Sequence, residues 1–291
     1  MSGVEWEKAL WKPLPFPDNY IPREAFLSSL RTNPNFQPYT YWTLVRLSGA
    51  ITQHLATLFT FLAVYVLLKE GLLDSRLLIW VSIACFILGF AVWTALDCTI
   101  RAQVDHRARL VKATKSSILL FLALMSLSPV LGTLTAATSS DSIWALSAFL
   151  FFLNVILADY SARQPGLHVQ ERLTSVLSMN AAISSSVVLA SRLSDDLSVF
   201  ALILFAVQLF ALFPLLRHRL QASQAAVQYL LTVSISILSL LLTISISHTV
   251  TTIFAAALLS VSFVAPGVLI WAQRFKNEIR GPWDVAVPKI N

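Results

Sequence analysis

The feature that most narrows the fold of this chain is a succession of long apolar runs. Eight follow one another, over residues 47–68, 77–96, 116–137, 142–158, 173–191, 197–216, 224–246 and 249–272. A helix rises ~1.5 Å per residue, so about 20 apolar residues cross a hydrocarbon core of ~30 Å. Within that core backbone groups must bond one another, which leaves helices for runs of this length. The expected fold is all-α: a polytopic membrane bundle of about eight transmembrane helices. Charge content agrees, since 12% of the 291 residues are charged against roughly 25% in soluble domains.

One run differs from the rest. The stretch over 173–191 contains Ser175, Ser178, Asn180, Ser184, Ser185 and Ser186. A helix facing only lipid has no use for these groups. One packed among helices does, because small residues allow close approach and Ser or Asn can bond across the contact. The spacing predicts a central helix enclosed by neighbours. The alternative is a Ser-rich span whose hydroxyls bond back to its own carbonyls.

Residues 1–46 precede the first run. They hold PFPDNY, residues Pro15, Phe16, Pro17, Asp18, Asn19 and Tyr20, where the prolines favour an extended path. A short amphipathic helix is expected from Pro22 to Arg31, with Phe26, Leu27 and Leu30 on one face. It suits the membrane surface, a partner, or an ordinary surface tail. The bundle is expected over 47–272 and a tail over 273–291. Pro129, Pro214 and Pro266 fall inside runs and should kink a helix or sit near its end, a neighbour bonding the freed carbonyl. Ser194, Asp195 and Asp196 read as a helix start, with a cap and acids in the first turn.

Basic residues set the orientation. With an even number of spans both termini share a side, and 18 of the 21 Lys and Arg fall there; the other side has Lys69, Arg76 and Arg192. This bias predicts cytosolic termini. The positive face could gather anionic headgroups, or its charges serve topology alone.

Catalytic signatures do not emerge. There is no Gly-x-Gly for a dinucleotide or phosphate loop, no HExxH and no GxSxG elbow. No catalytic residue, metal ligand or cofactor is assigned, and no nucleic-acid partner is expected. The polar exceptions inside the runs are Gln53 and His54, Asn154, Asn180 and Gln208. They are candidates for interhelical bonds or lipid contact. Asp159 and Arg163, near a cytosolic span end, could pair with each other or meet a headgroup.

A series of short motifs then points to a family. PFPDNY at 15–20, YW at 41–42, SPVLGTLT at 128–135, DY at 159–160, LSMNAA at 177–182, LASRL at 189–193, ALFP at 211–214 and GPWD at 281–284 stand in order along the chain. In order and spacing the chain resembles the PIG-C family, a non-identical subunit type of phosphatidylinositol N-acetylglucosaminyltransferase. No role is carried onto 97–115, where the pattern fits poorly.

The resemblance implies a multi-pass subunit in the endoplasmic reticulum membrane, within a complex that moves N-acetylglucosamine from UDP-N-acetylglucosamine to phosphatidylinositol. That is the first step of glycosylphosphatidylinositol anchor synthesis. The implied partners are the other subunits, including the catalytic PIG-A subunit, and a membrane containing phosphatidylinositol. This chain then reads as a non-catalytic scaffold. PFPDNY, Phe26 and Gly281, Pro282, Trp283 and Asp284 would be its docking elements. The alternative is a lipid scramblase or small-solute transporter, which needs a hydrophilic groove open to both sides.

Overall fold

The computed structural model describes residues 39–100, 106–133, 138–160, 173–221, 225–273 and 275. Among them the secondary structure is helical throughout, with no strand. The helices are α1 (Tyr41–Lys69), α2 (Ser75–Ile100), α3 (His106–Thr133), α4 (Ser140–Leu157), α5 (Leu173–Ala190), α6 (Asp196–Val207), α7 (Phe213–Gln221), α8 (Ala225–Ile244), α9 (His248–Leu259) and α10 (Ala265–Gln273). Wider π-helical turns, Gln208–Leu212 and Ser260–Val264, join α6 to α7 and α9 to α10.

Among the described residues six stretches are long and apolar enough to cross a membrane: Tyr41–Lys69, Ser75–Ala95, Ser140–Leu157, Asp196–Arg217, Ala226–Ile244 and His248–Gln273. Two shorter apolar helices, Ile118–Leu131 and Thr174–Ala190, lie within α3 and α5. The segment expected as a loop over 97–115 is largely helical, because α2 continues to Ile100 and α3 begins at His106. Helices run past the end of their apolar stretch here, so hydropathy alone places their ends too early.

The chain divides into two units. One comprises residues 42–267; the other comprises 1–41 and 268–291. Within the smaller unit the Tyr39 amide donates to Gln273 Oε1 at 3.2 Å, and the Trp271 and Phe275 rings meet edge to face.

In the larger unit the enclosed helix is α1, not the Ser-rich α5. Of the most apolar part of α1, 72% is buried, against at most 39% for the other long spans. Its burial runs from Ser48 to Leu68 and takes in Thr52, Gln53, Thr57 and Thr60. Phe61 stands at the middle of an aromatic cluster, 5.7 Å from the Phe151 ring on α4 and 5.4 Å from Phe210 in the first π turn. Phe59 stacks on Phe254 of α9 at 3.8 Å. The core continues through Ala182 and Leu189 of α5 and Val199, Ala201 and Leu202 of α6.

Helix α5 presents one face to the core. Ser178, Ala182, Ser185, Ser186 and Leu189 are buried, whereas Leu177 and Asn180 are turned toward the outside. It packs closely on α4. Asn154 meets Ser178, and seven residues along each helix Ser147 meets Ser185, whose hydroxyl donates to the Ser147 carbonyl at 2.9 Å. These polar rungs, one heptad apart, set an antiparallel register.

Local chemistry accounts for the helix ends. Asp195 caps α6, its carboxylate accepting from the Ser198 amide at 3.2 Å, with Asp196 in the first turn. Helix α1 ends in a left-handed glycine. Gly71 has φ +69°, its amide bonds the Leu68 carbonyl, and the Leu72 amide bonds the Leu67 carbonyl, as in a Schellman turn.

Prolines 214 and 266 share one solution. Each stands second in a helix that follows a π turn, and the residue before it donates five residues back, Phe213 to Gln208 and Ala265 to Ser260. A proline lacks an N–H and crowds the carbonyl four residues earlier; the wider turn relieves the crowding.

Candidate functional site

The polar side chains of α1 form two groups. The first centres on His54. Its Nε2 lies 2.7 Å from Asn154 Oδ1 on α4, and its Nδ1 lies 3.2 Å from the Tyr160 hydroxyl. Asn154 Nδ2 donates to both the carbonyl and the hydroxyl of Ser178, at 2.9 Å each, and the Ser178 hydroxyl donates to the Asn154 carbonyl at 2.7 Å.

This network fixes its own proton arrangement. Turning the Asn154 amide over would set its oxygen against the Ser178 carbonyl, so Oδ1 must face His54. His54 then donates from Nε2 and leaves Nδ1 as an acceptor. The Tyr160 hydroxyl proton is shared between His54 Nδ1 and the Val155 carbonyl, 2.7 Å away near the end of α4. Tyr160 follows α4, and burial pushes its phenol up to about 12, with the nearby Arg217 charge pulling the other way. It is a neutral donor throughout the physiological range.

The second group centres on Gln53. Its Nε2 donates to Thr232 Oγ1 at 2.7 Å and to the Gln228 carbonyl at 3.3 Å, tying α1 to α8. The Gln53 Oε1 atom is buried and has no hydrogen-bond partner. Beside it lies a groove of about 680 Å³ bounded by α1, α8, α9 and the second π turn. Arg46, Gln53, Tyr160 and Gln228 line it, with apolar walls from Val233, Leu240 and Leu258.

Behind the groove wall sits Arg217, only 5% exposed. Its guanidinium donates to the Ala50 carbonyl at 3.2 Å, and its buried Nε has no partner. Asp159 and Tyr160 lie near enough to act on its charge. In the sequence Arg217 counts only as one of the topological charges; its position at the end of an apolar run is the signal that could have singled it out.

The remaining candidates are dispersed. Gln208 Nε2 donates to the Ser82 carbonyl of α2 at 2.8 Å, at the start of the first π turn. Asn180 faces outward on α5, away from the His54 network. Arg163, PFPDNY (15–20), Phe26 and GPWD (281–284) lie outside the described residues. Among the described residues no group of three or more His, Cys, Asp or Glu is arranged to hold a metal ion.

The family described as phosphatidylinositol N-acetylglucosaminyltransferase matches residues 6–284, nearly the whole chain. The chain belongs to this family. Its similarity to individual members of the phosphatidylinositol N-acetylglucosaminyltransferase family is full-length. It is 38% identical over 288 residues to the GPI2 subunit of Schizosaccharomyces pombe, covering 98% of this chain and 87% of that one. The human C subunit is 36% identical over 285 residues, covering 97% and 93%. A putative C subunit of Dictyostelium discoideum is 33% identical, covering 97% and 79%. No solved structure matches.

Proposed function

We propose that this chain is a non-catalytic scaffold subunit of the membrane complex that transfers N-acetylglucosamine from UDP-N-acetylglucosamine to phosphatidylinositol, opening glycosylphosphatidylinositol anchor synthesis. It crosses the endoplasmic reticulum membrane eight times with both termini in the cytosol. Residues 1–46 and 273–291 flank the bundle over 47–272. The sugar chemistry resides in another polypeptide, the PIG-A subunit.

One observation carries the scaffold reading. The interior polar groups are largely engaged with one another between helices: His54 with Asn154, Asn154 with Ser178, Gln53 with Thr232 and Gln208 with Ser82. Groups held this way order helices and are not free to move protons for a reaction. Full-length likeness to relatives named as subunits of the transferase supports the same reading, as does the one-sided distribution of Lys and Arg.

The test is transfer of radiolabelled N-acetylglucosamine from UDP to phosphatidylinositol vesicles, by the purified chain and by the complex recovered through a tag on it. The complex should be active and the chain alone inert. Turnover by the chain alone would overturn the reading.

A further inference from the structure

We propose that the groove between α1, α8 and α9 holds one anionic phospholipid drawn from the leaflet on the basic face. Arg46 meets the phosphate, the headgroup hydroxyls reach toward Gln53, and an acyl chain lies along α8. The proposal rests on the reading of the chain as a membrane-spanning subunit and adds a site that scaffolding does not require.

The length of the groove argues for a lipid. Its lining runs from Arg46 to Gln53 on α1 and on to Leu240 on α8. Gln53 is bonded to Thr232, so the two lie at one depth. At ~1.5 Å per residue Arg46 stands about 10 Å to one side of that level and Leu240 about 12 Å to the other. A groove of roughly 20–25 Å is about half of the ~40–45 Å bilayer with its headgroups. That is one leaflet, the length of one lipid, and too short for a path across the membrane.

Its volume argues against a protein helix. A helix ~10 Å across and ~20 Å long fills about 1,500 Å³. The groove offers about 680 Å³, within the ~300–1,000 Å³ of small-molecule sites.

The polarity is graded along the groove. Arg46, Gln53, Tyr160 and Gln228 gather at one end, and Ile237, Leu240 and Leu258 line the other. The buried Gln53 Oε1 is an acceptor without a partner. An acyl chain would leave it so, and ester carbonyls are acceptors too. Only a headgroup that carries donors satisfies it. A second cation, Arg217, is fastened to the back of the wall at Ala50 and adds positive potential at the same end. Anionic charge, hydroxyl donors and a hydrocarbon tail together describe a polyol phospholipid.

The test reconstitutes the full-length chain in phosphatidylcholine vesicles with a phosphatidylinositol carrying a diazirine on its acyl chain. Crosslinks are mapped by mass spectrometry. Labelling should concentrate on 233–240 and 255–259, and unlabelled phosphatidylinositol should compete where phosphatidylcholine does not. Arg46→Gln, at an exposed position, should lower labelling about fivefold, the factor matching ~1 kcal/mol per basic residue at an anionic surface. Ser236→Trp, which fills the groove, should abolish it; Leu88→Trp, on the exposed face of α2, should not.

Even labelling around the bundle, equal competition by phosphatidylcholine, or no change on Arg46→Gln would overturn the proposal. So would exclusion of the probe from the wild-type groove by a protein segment. If Ser236→Trp does not fold, Arg46→Gln decides. Co-purification with the transferase subunits is scored separately on the same samples. A chain that assembles but does not label removes the groove alone; one that labels but does not assemble removes the scaffold role alone.

Discussion

The hydroxyl of Ser48 on α1 donates to the carbonyl of Ser262 in the second π turn, at 3.3 Å. Ser262 stands four residues before Pro266, which has no N–H to give it. The same hydroxyl also reaches the Val45 carbonyl at 2.8 Å, and the Ser262 hydroxyl meets Thr52 Oγ1 at 2.9 Å. A neighbouring helix thus supplies the bond that proline withholds, as membrane interiors require.

Ser48→Ala should therefore cost about 0.6 kcal/mol, the average for an interhelical bond in a membrane protein. Pro266→Ala returns an N–H to the helix. In that background Ser48→Ala should cost measurably less. Thermal unfolding in detergent of the four proteins of the double-mutant cycle measures the coupling. Equal costs in both backgrounds would show that Ser48 does not serve this carbonyl.

Asn154→Leu should destabilise the bundle by about 1–3 kcal/mol, because it leaves His54 Nε2–H and the Ser178 carbonyl without their partner. Ser178→Ala should cost less, near ~0.6 kcal/mol, since the Asn154 amide keeps the Ser178 carbonyl. A chain in which the two substitutions are equally costly would contradict the assigned network.

Gly71→Ala should cost about 1 kcal/mol through backbone strain alone, since a Cβ there meets nothing within 4 Å. Gly71→Asn should cost less, as Asn tolerates the left-handed region. The order Gly, Asn, Ala in unfolding midpoints is the measurement.

Tyr160 should give an alkaline signature. Its folded pKa, about 12, exceeds the ordinary 10.0. Its contribution to stability is complete below about pH 10 and is lost as pH rises through about 12. Tyr160→Phe should flatten the fall in stability across that interval, and ultraviolet titration should show one late-ionising phenol fewer.

Asp18→Ala or Trp283→Ala should weaken co-purification with the other transferase subunits while the chain keeps its helical circular dichroism. Full assembly and transferase activity in both variants would exclude these positions as docking elements.

The helices are largely readable in the sequence because apolar runs of this length admit few alternatives, and the cap at Asp195 is readable because it is local. Which helix lies inside is not. Serines draw attention to 173–191, yet α5 turns Asn180 outward. Helix α1 hides Thr52, Thr57 and Thr60 among larger apolar residues. Several of these hydroxyls bond back to their own helix, Thr60 to Ala56 and Thr57 to His54, so their presence says little about neighbours. His54 and Asn154 stand out as polar residues in apolar runs, but only the fold brings together groups a hundred positions apart.

That separation sets an order of events during synthesis. Helix α1 is made first, yet the partners of His54 and Gln53 come 100 and 179 residues later. At about 5–20 residues per second the wait runs from several seconds to over half a minute. Through that interval the future centre of the bundle faces lipid with an imidazole and an amide unsatisfied. Insertion machinery that shelters such a helix until its late companions arrive would raise the yield of this chain, most of all when elongation is slow.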